Sequence, residues 1–577
     1  MIGSPMNTVQ ESTTNDLLVV AGVAVAAATL TACGGGGGDG GGNDAGGPPG
    51  GPPPVVLPTA ASITGVKIVD DAAAPVGANG QPAAAGGVAF NLDGGTAGTS
   101  LPKDPGADGA ARTYNFTPTV GGAFTVTINP TPTNVYSSLP LVLNTARNAV
   151  AAASFPPAWD ELMANAGLTQ TQIIQRLVGR MRATPYEAYP AWIDERILSW
   201  TQFSALSEAA KTAYNDRRWP RRTEMKAWWL RQMVRSPDPL GERLLMFWHG
   251  VFTSSFNSLE EPETMVRQHR TWRANQGGNL RTFLKALTRD PGMCIYLDSR
   301  TNRKGSPNTN FARELMELFT LGERTQFGAY AEADIPLVAK CFTGYHLNDN
   351  HEFTFVPDQH DFSTKTLWGV TWADDGSQLA GDWVIDQILA KVDISGHRSC
   401  AVYIVTRLWR EFIGPVLSTD ARVLALANKF SNDYAYELKP LYQALLTHAA
   451  FTDPAVRGTR MRSPVELLVG FWRPLGIEPD VYEDQTWKLS SLDQDLLDPP
   501  NVFGWPGGLA WINVKNAVNR QTYMEWTVWN DRAKLPERLF PVLGLLLMAV
   551  DPVVAPTGTT TQNKVFAYVK DPAFNLR

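Results

Sequence analysis

The chain has 577 residues, of which 44% are apolar and 18% charged, a globular composition with room for one large core and smaller attachments. Its formal charge of -6 and pI near 5.8 exclude the basic footprint of a general nucleic-acid binder. The local cluster Arg217, Arg218, Arg221 and Arg222 reads as a solvated helix start.

Residues 17–33, "LLVVAGVAVAAATLTAC", form an uncharged run too short for a comfortable membrane span. Small residues before a cysteine at the end of such a run suit a secretory signal. Leu30, Thr31, Ala32 and Cys33 resemble the lipobox of bacterial lipoproteins, which implies lipidation of Cys33 and attachment to a membrane surface. No Lys or Arg precedes Lys67, and Glu11 and Asp16 stand where a positive region is usual. Residues 1–33 are therefore read as a signal peptide, and the chain as exported to the cell envelope. Residues 34–58, "GGGGGDGGGNDAGGPPGGPPPVVLP", lack side chains able to build a core and form a Gly/Pro-rich tether.

Residues 59–135 are rich in Gly, Ala, Thr and Pro. In "TYNFTPTVGGAFTVTINP" the alternation predicts strand, Gly-Gly turn and strand, so this segment is a small β-type module or a decorated linker. From 138 to 530 amphipathic runs such as "TEMKAWWLRQMV", "AVYIVTRLWREFI" and "SPVELLVGFWRPL" repeat apolar residues at three and four. These predict a mainly α, large multi-helix domain. "GYHLNDNHEFTFVP" alternates about a turn and predicts a small β-hairpin inserted between helices. Residues 531–577 are left as a C-terminal extension. Cys294, Cys341 and Cys400 sit in apolar settings without a CxxC spacing and read as buried free thiols.

The segment "SPNTNFARELMELFTLGE", residues 306–323, predicts a helix with Asn310 as N-cap and Gly322 just past its end. On a helical wheel Arg313, Glu317 and Thr320 share a polar sector, whereas Glu314 falls between Leu318 and Leu321. A carboxylate turned toward the core must be paired with a cation, kept neutral, or bound to a metal. His249, in "GERLLMFWHGVFTSSF", lies on a helix that is apolar on nearly every side. His360, Asp361 and Lys365 follow the hairpin in a loop between Pro357 and Gly369. His269 and His397, each beside an Arg, read as surface or capping residues.

The run "DPGMCIYLDSRTNRKGSPNTNFARELMELFTLGE" resembles the central signature of the bacterial family called domain of unknown function 1800. "ERLLMFWHGVF", "HDFSTKTLWG", "RSPVELLVGFWRPLG" and "PPNVFGWPGGLAWINVKNAVNR" are similar to further family segments, in the same order. The resemblance implies a mainly helical exported protein and a companion protein of the domain of unknown function 1501 family, itself similar to alkaline phosphatases and sulfatases. The family's polar signature falls here on His249, Asp298, Asn302, Asn310, Arg313, Glu314, Glu317, His360, Asp361 and Lys365. Where relatives commonly read Asn-Glu-Asn, this chain has Asn308, Thr309 and Asn310.

Two readings follow. In the first, Glu314, His360 and Asp361 carry acid–base catalysis, or His249, Glu314 and His360 hold a divalent metal such as zinc, iron or manganese. In the second, the protein is a non-catalytic envelope scaffold that binds a companion protein or a polysaccharide through some of its 18 Trp residues.

Overall fold

The computed structural model describes short strands between residues 87 and 128 and the chain from 139 to 577, apart from 323–329, 454–455, 457 and 480–481. The signal-peptide reading, Cys33 and the Gly/Pro-rich tether lie outside the described residues. Strands Arg112–Phe116 and Phe124–Ile128 pair antiparallel, with Arg112 opposite Ile128 and Phe116 opposite Phe124. From Leu139 onward the chain is mainly helical, and its buried apolar residues form one continuous cluster.

The centre of that cluster is built by helices whose sequences are apolar on more than one face. Helix Pro239–Val251 begins where the Asp238 side chain accepts a hydrogen bond from Gly241 N at 2.8 Å and Pro239 supplies a preset φ. Helix Pro464–Leu475 starts with a capping box between Ser463 and Glu466 and ends on Gly476 in the left-handed conformation. Trp229, Trp248, Trp272, Trp409 and Trp472 are fully buried among these helices, where each large ring removes much apolar surface from water. Cys294, Cys341 and Cys400 are buried free thiols.

Two small hairpins interrupt the helices. Tyr345–Leu347 pairs with Phe353–Phe355 as the alternation predicts. The second, Lys365–Leu367 with Val370–Trp372, falls where the sequence reads as a loop. Its turn places Trp368 at φ 51° and Gly369 at φ 81°, the two positive φ values of a two-residue hairpin turn.

Two expectations need correction. The arginine cluster is not a solvated helix start. Arg217 and Arg218 pair with Glu261 at 2.8 and 2.6 Å, and Arg221 bridges Glu195 and Glu263, because "LEEPET" brings acids to the same face. Residues 531–577 are not an appendage. Leu543, Leu546, Leu547, Val565 and Phe574 join the main core, and Met461 bridges Leu576. No helix among the described residues is long and apolar enough to cross a membrane.

Candidate functional site

The signature segment is not one regular helix. Asn310–Glu314 is α-helical, and Leu315–Thr320 continues as a π-helical turn, a rare element that often marks functional sites. Leu321 N donates to Met316 O at 2.8 Å, and Thr320 Oγ1 donates to Leu315 O at 2.5 Å. Both bonds span five residues. The wider turn rotates Thr320 out of the polar sector expected for it and buries it completely. Asn310 is the first helical residue rather than the cap. The preceding Asn308 side chain accepts from Asn310 N at 2.9 Å. Gly322 follows the last turn at φ 78°.

Glu314 is half-buried and has no hydrogen-bond or ion-pair partner among the described residues. Of the alternatives left open for it, a cation partner is not found among the described residues. Arg313 instead reaches Glu332, at 2.6 and 3.2 Å. Burial, and then repulsion from Glu317 one turn on, push the Glu314 carboxyl up to about 7, with Arg313 opposing only in part. Tyr296 stands nearby. Burial raises its hydroxyl, and the carboxylates of Glu314 and Asp498 raise it further, so the three groups share one neighbourhood. Asp498 is tied in place by Ser255 Oγ and by Asn257 through its backbone N, at 3.3 Å, and its side-chain amide.

The frame beneath comes from two helix ends. Arg407 donates to Gly250 O at 3.2 Å, to Leu318 O at 3.4 Å and to Tyr403 Oη at 2.9 Å, while Tyr403 Oη donates to Leu318 O at 2.6 Å. One guanidinium thus serves the carbonyls that a helix terminus and a π-helical turn leave open. The loop after Asp498 packs on the same terminus. A Cβ on Gly504, at φ 85°, would stand 2.7 Å from Gly250 O, so only glycine allows the approach. Trp505 then lies edge-on to His249, at 5.0 Å between ring centres.

His249 is fully buried against Trp229, Trp272 and Trp505. Burial lowers its pKa to about 3, which keeps the imidazole neutral, and neither ring nitrogen has a hydrogen-bond partner among the described residues. His269 is also fully buried, not on the surface, and meets Tyr189 Oη through Nδ1 at 3.1 Å. His397 precedes helix Ser399–Phe412 and contacts Asn428 Oδ1 at 3.1 Å.

His360 belongs to a different locus. Its Nε2 meets Asp374 Oδ2 at 2.8 Å and its Nδ1 the Thr343 carbonyl at 2.5 Å. Lys365 Nζ joins Asp374 at 2.8 Å and the carbonyls of Ser363 and Asp361. The partner of His360 is therefore Asp374, not Asp361. Burial pushes the Asp361 carboxyl up, but hydrogen bonds from Ser363 and the nearby Lys365 hold it below the ordinary carboxylate value. The Asp361 carboxylate caps Ser363 N at 2.9 Å. This buried network locks the two hairpins to the helices. Asn302 does similar work, donating to Ala339 O and accepting from Asn308 N, while Asp298 adopts φ 55° and its carbonyl accepts from Asn308 Nδ2 at 3.2 Å.

The structure does not assemble His249, Glu314 and His360 as a metal centre. Among the described residues no group of three His, Cys, Asp or Glu side chains could hold a metal ion. Both nitrogens of His360 are already engaged, and His249 is enclosed by indole rings.

The family described as "Protein of unknown function (DUF1800)" matches residues 148–567, well over half of the chain. The chain belongs to DUF1800. No curated protein and no solved structure matches it. The DUF1800 match covers the helical body, including Glu314, Tyr296, Arg407 and Asp498, and most of the C-terminal segment. Four residues around Glu314 do not stand out in the sequence. Tyr403 and Arg407 leave only the trace of two polar groups at i and i+4 of helix Ser399–Phe412. Asp498 carries only the weak signal of an acid before Pro-Pro, and Tyr296 carries none.

Proposed function

We propose that this DUF1800 protein is an exported bacterial protein of the cell envelope in which Glu314 acts as a general acid–base group. The supporting observation is a half-buried carboxyl, with no ion-pair partner among the described residues and pushed up to about 7, beside a second carboxyl, Glu317. A carboxyl poised near neutrality gives and accepts a proton at similar cost, which is the requirement for acid–base catalysis. Tyr296 and Asp498 border the same neighbourhood and offer further hydrogen-bonding groups to a polar substrate.

A test uses the intact protein against envelope polysaccharides and ester-linked model substrates, with Glu314→Gln as the comparison. The expected result is turnover by the parent and its loss in a Glu314→Gln variant that unfolds no earlier than the parent. Turnover that survives Glu314→Gln would contradict the assignment.

A second reading, a binding scaffold, is favoured by one surface. Trp487, Trp526 and Trp529 are 60%, 55% and 56% exposed on helices Tyr482–Ser491 and Val514–Asn530, and Tyr523 bridges the first two rings at 5.8 and 6.3 Å. Exposed indoles suit sugar faces or a companion protein. Binding of a polysaccharide that is lost in Trp487→Ala and Trp526→Ala but indifferent to Glu314→Gln would favour the scaffold.

A further inference from the structure

A cavity of about 90 Å³ opens between helix Leu139–Ala153, the segment Arg460–Glu466 and the chain near Arg577, with room for several waters. Its walls carry Arg147, Arg460, Arg462 and Arg577, and Arg243 stands behind them. Arg243 pairs with Glu411 and Glu466, and Arg577 reaches the same two acids at 3.2 and 2.9 Å. Arg460 donates to the Glu411 carbonyl. Arg462 donates through Nη2 to Leu547 O at 2.8 Å and has no carboxylate partner among the described residues. Arg243 and Arg577 thus share the two carboxylates, while Arg460 and Arg462 have only backbone carbonyls among the described residues, so two guanidinium groups on this wall lack a side-chain counter-charge. Arg147 and Asp453, also on the wall, leave that balance unchanged.

The excess is buried. Arg462 is only 4% exposed, and its Nη1, together with Nε of Arg460 and of Arg577, has no hydrogen-bond partner among the described residues. A guanidinium does not shed its proton in a protein, and a buried charge without a counter-charge is costly. The fields agree with the geometry. Burial, and then Arg147 and Arg577, lower Arg462 to about 9. Glu411 is pushed up by burial but held down to about 2 by Arg243, Arg577 and Arg460.

The geometry points to an oxyanion-binding pocket in which Arg462, Arg460 and Arg577 grip a phosphate or sulfate group. Planar guanidinium forks match such oxygens in shape and charge. Phe412, Phe451 and Met548, on the same walls, leave an apolar flank that a small organic substituent on the anion would cover. This pocket shares none of the residues of the Glu314 site and does not depend on its chemistry.

The test is calorimetric titration and thermal unfolding of the full chain with inorganic phosphate, sulfate and a short alkyl phosphate, at constant ionic strength in chloride. Phosphate or sulfate should bind and raise the melting temperature. Tighter binding of the alkyl phosphate marks a group on a larger ligand, and weaker binding marks the free ion. Arg462→Gln should weaken binding by about tenfold or more, the loss of one charge-assisted hydrogen bond. Glu411→Gln, which removes a competing carboxylate, should tighten it. The proposal is overturned by no binding of any of the three anions, by equal affinity in Arg462→Gln, or by unchanged or weaker affinity in Glu411→Gln. The Glu411 variant keeps the test decisive if Arg462→Gln does not fold.

Discussion

Replacing Glu314 by Gln should make the protein more stable at alkaline pH and leave it unchanged in acid. The folded protein holds the Glu314 proton more tightly than the unfolded chain does. Its contribution is therefore fully present below the ordinary value of 4.5 and is lost as pH rises through about 7. Fully expressed, that gap is about 3 kcal/mol at about 1.4 kcal/mol per decade. Glu314 is only half-buried, so solvent screening reduces it to about 1–2 kcal/mol. Gln resembles the protonated form and escapes the cost. In a domain of this size the gain raises the melting temperature by about 1–2 °C near pH 8, and by nothing measurable near pH 4.5. Scanning calorimetry of both proteins at the two pH values reads this directly. A variant that is less stable than the parent at alkaline pH would refute the reasoning, because it would reveal a cation partner lost with the carboxylate. A gain in function-free stability at this position is the usual mark of a group kept for activity rather than for folding.

Other substitutions separate the site from its supports. Glu317→Gln should lower the titration midpoint of Glu314 yet leave it above 4.5, since burial is the larger cause and repulsion the smaller; carboxyl NMR of the variant measures it. Arg407→Met strips the guanidinium from Gly250 O, Leu318 O and Tyr403 Oη and should cost about 2–3 kcal/mol in thermal unfolding. Asp374→Asn removes the carboxylate shared by His360 and Lys365 and should cost about 3–5 kcal/mol, as breaking buried pairs does. Asp361→Asn keeps the turn that caps Ser363 N and should change stability by less than about 1 kcal/mol. Equal losses for Asp361 and Asp374 would contradict the pairing.

The helical body was legible because burial writes a period into a sequence. The capping box at Ser463, the Pro at position 239 and the alternating hairpin at 345–355 all stand where their residues suggest. The second hairpin was hidden because its turn pair, Trp368 and Gly369, is unlike the Asn-Gly that signals such turns. At the site, the wheel turned Glu314 alone toward the core but assumed α-helical pitch throughout, and the structure leaves Arg313, Glu314 and Glu317 all partly exposed. The π-helical turn depends on the carbonyl partners Tyr403 and Arg407, which lie more than 80 residues away in sequence, and no local pattern reports them. The same limit hid Asp374 behind the adjacent Asp361. Neighbours in sequence were the natural guess, while the partner that the fold brings to His360 comes from the far side of a hairpin.

Glu314 is expected to titrate near neutrality, with burial as the main cause and no ion-pair partner among the described residues. Carbon-13 NMR of glutamate carboxyls, with Glu314 assigned by its disappearance in Glu314→Gln, measures this in the parent protein. The expected midpoint is near 7. A midpoint at or below the ordinary 4.5 would contradict it and return Glu314 to the role of an ordinary ion-pair residue.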